Sequence, residues 1–271
     1  LIRHVRTQAG GDLVDIALDG PRIAAIGPNL PGEAPETDGR GGFAFPGFVE
    51  THVHLDKACI LDRCPAGDSL ADAIGGVKRA KAAFTEEDVA ERAARVLRAA
   101  IGHGTTLMRT HVELDPVLGL RGLRGVQQAI AAHRWGIEVE ICVFPQDGLL
   151  NLPGTEDLLR QALAEGAPVL GACPYTDSDP LGHLDRIFAL AREFDVPIDM
   201  HLDFDLVPDA GMIEAVCAHT EAAGWGGRVT IGHVTRLSAM PPGQLSAILR
   251  RMADAGVALT ALPATDLFLM G

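Results

Sequence analysis

The stretch PGFVETHVHLDKA, residues 46–58, sets His52 and His54 one residue apart after an apolar run, with Asp56 and Lys57 just beyond. Imidazole is the usual ligand of Zn²⁺, also suits Fe²⁺, and carries protons near neutral pH. On a β-strand, side chains at i and i+2 point to one side, so both rings can approach the same ion. Two polar residues alternating along a strand surface have the same spacing without any chemistry, so the pair alone leaves both readings open. Recurrence strengthens the metal reading: His201 follows an apolar stretch in DMHLDFD and His233 follows another in IGHVT. His111 and Glu113 in RTHVELD hold a similar place, although a histidine there serves equally well by bonding a loop carbonyl.

Such residues need elements that bring them together. Apolar strand candidates fall at 43–53, 105–113, 137–145, 168–174, 196–203, 228–234 and 257–263. Amphipathic helical stretches lie between them, including TEEDVAERAARVLRAAIGHG, with Thr85 as N-cap and glycines at its end, LGHLDRIFALAREFD, DAGMIEAVCAHTEAAG and PGQLSAILRRMADAG. A β-plus-α unit of roughly 30 residues, recurring along the chain, fits a (β/α)8 TIM-type barrel lacking its last βα unit better than a doubly wound parallel sheet. In a barrel the chemistry gathers at the C-terminal ends of the strands. His52, His54, His111, Glu113, Gln146, Tyr175, Asp177, His201, Asp203, Asp205, His233 and Asp266 all fall at such ends. Lys57 lies in the first loop, where it either contacts a substrate carbonyl or pairs with Asp56. Ahead of the barrel, DLVDIALDGPRIAAIGPNL reads as a hairpin turning at Asp19-Gly20-Pro21. The expected division is a small β element over 1–41 and the barrel over 42–271.

The 271 residues can bury a large core, and their net charge of −13 repels phosphate backbones and anionic lipid. Nucleic acid and membrane surfaces are therefore excluded as expected partners, and a small neutral or cationic substrate fits better. No apolar stretch approaches the ~20 residues of a membrane span, and LIRHVRTQAG lacks a signal-peptide core, so a cytoplasmic protein is expected. The five cysteines are scattered without CxxC spacing, which indicates neither a disulfide framework nor a thiolate zinc site. The chain begins with Leu1 and stops at LFLMG, read as having no terminal helix, so both ends are expected to be cut.

Taken together, PGFVETHVHLDK, RTHVELD, FPQDGLL, GACPYTDSDP, DMHLDFD, RVTIGHVT and ALPATDLFLMG resemble the amidohydrolase superfamily. The resemblance is to its cytosine-deaminase-like branch, which includes triazine aminohydrolases. It implies one divalent metal ion, Zn or Fe, held by His52, His54 and His201, with a further Asp ligand from an eighth strand. It implies that His233 orients or deprotonates the attacking water, that Gln146 bonds the heterocycle, and that Asp266 lies on the substrate side. The carboxylated lysine of some amidohydrolases belongs at the end of the fourth strand, here GACPYTD, so Lys57 is not that ligand. The resemblance also makes the element over 1–41 a small flanking β-sandwich element, and homo-oligomerisation is a further expectation from it.

Two departures bear on mechanism. The eighth-strand Asp has no counterpart here, so the sequence reads as part of a longer protein. Where cytosine deaminases carry a proton-shuttling glutamate, this chain has Phe204, which transfers no proton; strand alternation makes Asp203 the expected substitute. The leading expectation is hydrolysis of a C–N bond in a small nitrogen heterocycle by metal-activated hydroxide. Ring-opening of a cyclic amide or imide, and a metal- or ligand-binding barrel without turnover, are the alternatives.

Overall fold

The computed structural model describes residues 1–64 and 70–271, and the chain divides into two compact units, Leu1–Gly47 and Phe48–Gly271. In the first unit, β1 (Ile2–Val5), β2 (Val14–Asp19), β3 (Arg22–Gly27) and β4 (Thr37–Asp38) form one sheet in the order β3-β2-β1-β4. β2 and β3 make the expected hairpin, paired antiparallel from Asp15↔Gly27 to Asp19↔Arg22. Buried Asp15 holds the unit together by accepting from Arg3 Nη1 at 2.7 Å, Leu30 N at 3.0 Å and His4 N at 3.1 Å.

In the second unit, strands alternate with helices. They are β5 (Phe48–Val53), α1 (Leu70–Ala80), α2 (Glu86–Gly102), β6 (Thr105–Glu113), α3 (Arg121–His133), β7 (Glu138–Phe144) and α4 (Thr155–Ala164). There follow β8 (Val169–Ala172), α5 (Pro180–Phe194), β9 (Ile198–Leu202), α6 (Ile213–Ala223), β10 (Val229–His233), α7 (Pro242–Ala255), β11 (Val257–Thr260) and α8 (Pro263–Met270). The strands pair in chain order, all parallel, into a seven-stranded sheet whose edges are β5 and β11. β5 and β9 stand four places apart in that order. In a flat sheet they would be about 19 Å apart at roughly 4.8 Å per strand, yet His52 and His201 are in contact at 3.1 Å. The sheet is therefore curled, as a (β/α) barrel with one βα unit missing from the chain as given.

Local sequence explains the element ends. Thr85 caps α2 by accepting from Asp88 N at 3.2 Å, and Glu86, Glu87 and Asp88 place negative charge in its first turn. Asp179 caps α5 in the same way, through Gly182 N at 2.9 Å, with Pro180 opening the helix. In β8, a Cβ on Gly171 would come within 2.5 Å of Phe144 Cβ and 3.0 Å of Asp199 O, so only glycine lets β7, β8 and β9 approach this closely. The apolar faces of the helices, such as Val89 and Leu97 of α2 and Leu123 and Val126 of α3, are buried in one core with Val112, Val143, Leu170, Met200 and Ile231. Each such side chain contributes about 1.5–3 kcal/mol by leaving water.

Two expected strand boundaries shift by three residues or more. The first barrel strand starts at Phe48 rather than 43; Phe43 instead bridges Arg6 within the first unit, and Pro46, with no N–H, cannot extend the ladder. The last strand ends at Thr260 rather than 263, because Pro263 opens α8, so a helix does follow the seventh barrel strand and Asp266 lies in its first turn. Among the described residues, no helix is long and apolar enough to cross a membrane.

Candidate metal centre and active site

The curl of the sheet brings histidines from β5, β9 and β10 to one place. His52 Nε2 and His54 Nε2 each lie 3.1 Å from His201 Nε2. Room for this convergence comes partly from Gly232, where a Cβ would stand 3.3 Å from the His52 ring. The Nδ1 atoms of all three rings are buried without a hydrogen-bond partner.

Burial pushes the His52 imidazole down to about 2, helped by the neighbouring His111 and His233 rings. Burial likewise holds His54 and His201 well below the ordinary histidine range. All three rings are therefore neutral and expose lone pairs. Two nitrogens each about 2.0–2.1 Å from one Zn²⁺ lie about 3.1–3.4 Å apart near tetrahedral angles, which matches the spacing found. The donor set fits a divalent metal ion.

His233 stands beside this trio, its ring 5.3 Å from that of His201 and 5.1 Å from that of His52. Its φ is +67° and that of Val234 is +48°, a left-handed turn in non-glycine residues that carries strain at the strand end. His233 Nδ1 donates to Asp266 Oδ1 at 2.7 Å, which fixes the tautomer and leaves Nε2 as the basic nitrogen. Burial lowers its pKa, and the Asp266 charge opposes that shift.

A cavity of about 330 Å³ opens on these histidines. Gln146, Tyr175 and Thr265 form its polar wall, and Val53, Phe204, Leu262 and Leu269 its apolar wall. Phe204 packs on the His233 ring at 4.5 Å.

Of the residues singled out in the sequence, His52, His54, His201, His233, Gln146 and Tyr175 meet at this cavity. Lys57 does not line it; its Nζ donates to Glu113 Oε2 at 2.9 Å and Gln146 Oε1 at 3.3 Å. Asp203 is a correction. β9 ends at Leu202, Asp203 has φ +46°, and strand alternation therefore stops before it. Its carboxylate turns away to accept from Met212 N at 2.9 Å, with Arg236 Nε 3.8 Å distant, and burial raises its pKa to about 6. Asp266 is a second correction, since it backs His233 instead of lining this cavity. Asp177, also at a strand end in the sequence, accepts from Leu149 N at 2.7 Å, Asn151 N at 2.8 Å and His183 Nδ1 at 2.5 Å, fastening loops together.

Sequence reasoning missed the apolar wall and a buried charge network. Lys81, 1% exposed, donates to Glu113 at 2.5 Å, to Asp147 at 2.6 Å and to Asp115, so this carboxylate cluster is filled by an ammonium. His111 is fully buried, stacks on His52 at 4.1 Å and lies 3.5 Å from Asp199 Oδ1. Asp199 in turn accepts from Arg109 Nη1 at 2.7 Å.

A curled parallel sheet with histidines converging at its strand ends is a scaffold that can hold a metal ion. The family model described as Amidohydrolase family matches residues 43–269, and the chain belongs to this family. It is 29% identical over 267 residues to N-isopropylammelide isopropyl amidohydrolase of Pseudomonas sp. (strain ADP), covering 95% of this chain and 66% of that protein. The crystal structure of N-isopropylammelide isopropylaminohydrolase from Burkholderia multivorans superposes with a TM-score of 0.85 at 36% identity, covering 95% of this chain and 66% of that one. That of 5-methylcytosine deaminase from Klebsiella pneumoniae, liganded with phosphonocytosine, gives a TM-score of 0.90 at 25% identity, covering 100% and 68%. The chain spans 55–66% of the length of three curated relatives that it matches.

Proposed function

We propose that this chain carries the catalytic barrel of a metal-dependent hydrolase that cleaves an exocyclic C–N bond of a small nitrogen heterocycle. The observation that carries the reading is the convergence of His52, His54 and His201 beside the His233–Asp266 pair on one cavity. His52, His54 and His201 would hold one divalent ion, Zn or Fe, which supplies Lewis acidity and a nucleophilic water near neutral pH.

The chain's own residues do the rest. His233 Nε2, kept basic by the Nδ1 bond to Asp266, takes the proton as water attacks the ring carbon and returns it to the leaving nitrogen. One group serving both steps needs no second carboxylate, which suits Asp203 being turned away. Gln146 and Tyr175 orient the heterocycle, and the apolar wall excludes bulk water and packs its face. Two of the relatives above are named for N-isopropylammelide and one for deaminating 5-methylcytosine, which supports a nitrogen heterocycle as substrate class. The reading gives no role to nucleic acid or membrane and places the reaction in the cytoplasm, where five unpaired cysteines are at home.

The test uses the full-length, metal-replete protein against aminated pyrimidines, triazines, pterins and cyclic amides. Release of ammonia or an alkylamine, with near-stoichiometric Zn or Fe lost in His52→Ala and His201→Ala, is the expected result. A product that gains water while keeping its nitrogen would move the assignment to ring opening. Metal content unaffected by either substitution would overturn the assigned centre.

A further inference from the structure

Among the described residues Gln146 is the one side-chain amide on the cavity wall, and what it offers a ligand depends on which way round it sits. Its neighbours decide this. Lys57 Nζ lies 3.3 Å from Gln146 Oε1, and an ammonium has only donors to offer, so the amide atom facing Lys57 must be the carbonyl oxygen. On the other side, Nε2 is 3.5 Å from Cys173 Sγ, a weak acceptor, and burial pushes that thiol up to about 12 so that it stays neutral.

Lys57 is itself held. Glu113, 1% exposed, binds it through Oε2 at 2.9 Å and is gripped from behind by Lys81 through Oε1 at 2.5 Å. Burial opposes the Lys57 charge, but Glu113 and Asp56 outweigh it and keep the ammonium protonated. Lys81, Glu113, Lys57 and Gln146 thus form one chain of contacts that ends at the cavity.

We infer that Lys57 is a positioning residue that locks the Gln146 amide with its oxygen away from the cavity and its amino group toward it. The substrate edge that meets Gln146 must then carry an acceptor, a ring carbonyl or an unprotonated ring nitrogen. This rests on the heterocycle-hydrolase reading and narrows its substrate class.

A double-mutant cycle on full-length, metal-loaded protein tests it, using the best substrate of the panel above. Lys57→Met raises KM about tenfold with kcat nearly unchanged, the size of one lost hydrogen bond, and Lys57→Arg, also donor-only, restores it. In a Gln146→Ala background, Lys57→Met does nothing further; multiplying effects would mean that Lys57 contacts substrate directly and would overturn the assignment. Gln146→Glu raises KM more than Gln146→Ala, because a carboxylate repels an acceptor, and the opposite order would assign a donor to the substrate edge. Glu113 keeps its Lys81 partner in the Lys57 variants, so no buried charge is orphaned.

A second readout needs no turnover. The ¹⁵N side-chain amide signal of Gln146, assigned by its loss in Gln146→Ala, shows two well-separated, slowly exchanging protons in the wild type and in Lys57→Arg. Both shift toward free-glutamine values in Lys57→Met. Signals unchanged in Lys57→Met would sink the positioning role, whereas a wild type with no activity on any heterocycle would sink the hydrolase reading and leave this arm decisive.

Discussion

The bond from His233 Nδ1 to Asp266 Oδ1, 2.7 Å long, determines which ring nitrogen can accept a proton. Asp266→Asn can donate to Nδ1 and so hold the ring in the wrong tautomer. We expect kcat to fall by about 10²- to 10⁴-fold, the range of a lost general base, with metal content unchanged. Loss of metal together with activity would show instead that Asp266 supports the metal centre. The types and spacing of His52, His54, His201 and His233 already mark these four residues in the sequence, because each follows an apolar strand. Asp203 was misread because the chain leaves the strand through a left-handed residue at 203, so i+2 alternation no longer says where its carboxylate points. Asp266, placed on the substrate side by the resemblance, lies in the first turn of the helix that Pro263 opens and faces His233.

At the scale of elements, the strands are legible because a strand buried on both faces is a short apolar run between polar loops. The ties between elements are not. Lys81 sits in GVKRAKAAF, where nothing in the local sequence marks it as buried, and its carboxylates lie 32, 34 and 66 residues further along the chain. It fastens the turn after α1 to the ends of β6 and β7. Lys81→Met would leave Glu113, Asp115 and Asp147 facing one another with their shared cation gone. We predict a loss of about 3–5 kcal/mol, as for a broken buried ion pair, measured by urea unfolding. A loss below about 1 kcal/mol would mean that Lys57 and Lys78, the latter 3.4 Å from Asp147, neutralise the cluster on their own.

At the scale of the whole molecule, the second unit buries neutral histidines. His52, His183 and His201 are at most 8% exposed, and burial lowers the pKa of each. Above about pH 6.5 they are neutral folded or unfolded and contribute nothing to pH dependence. Below it the unfolded chain takes up protons that the folded chain refuses, so stability falls with pH by about 1.4 kcal/mol per unit for each ring, down to its folded pKa. The urea midpoint of metal-free protein should therefore drop steeply from pH 6.5 to 5, and a flat profile would contradict the burial of neutral rings. Asp177 works in the same sense, in a lower pH window. Its backbone and His183 hydrogen bonds outweigh burial and depress its pKa, so its contribution survives until pH falls below the ordinary carboxylate range. Added Zn²⁺ should raise the melting temperature by similar amounts at pH 7 and pH 5.5, since the folded rings are neutral at both and offer the metal the same lone pairs.

Residue type, hydrophobic period and spacing along the chain were enough to determine the alternating βα architecture, the hairpin and the histidines at the strand ends, because each rests on local steric and solvation preferences. The curl of the sheet, the turn of Asp203 toward Met212 and Arg236, the backing of His233 by Asp266 and the run of contacts from Lys81 to Gln146 were decided only by tertiary structure. They depend on which distant groups become neighbours, because a buried charge or polar group is costly unless it is paired.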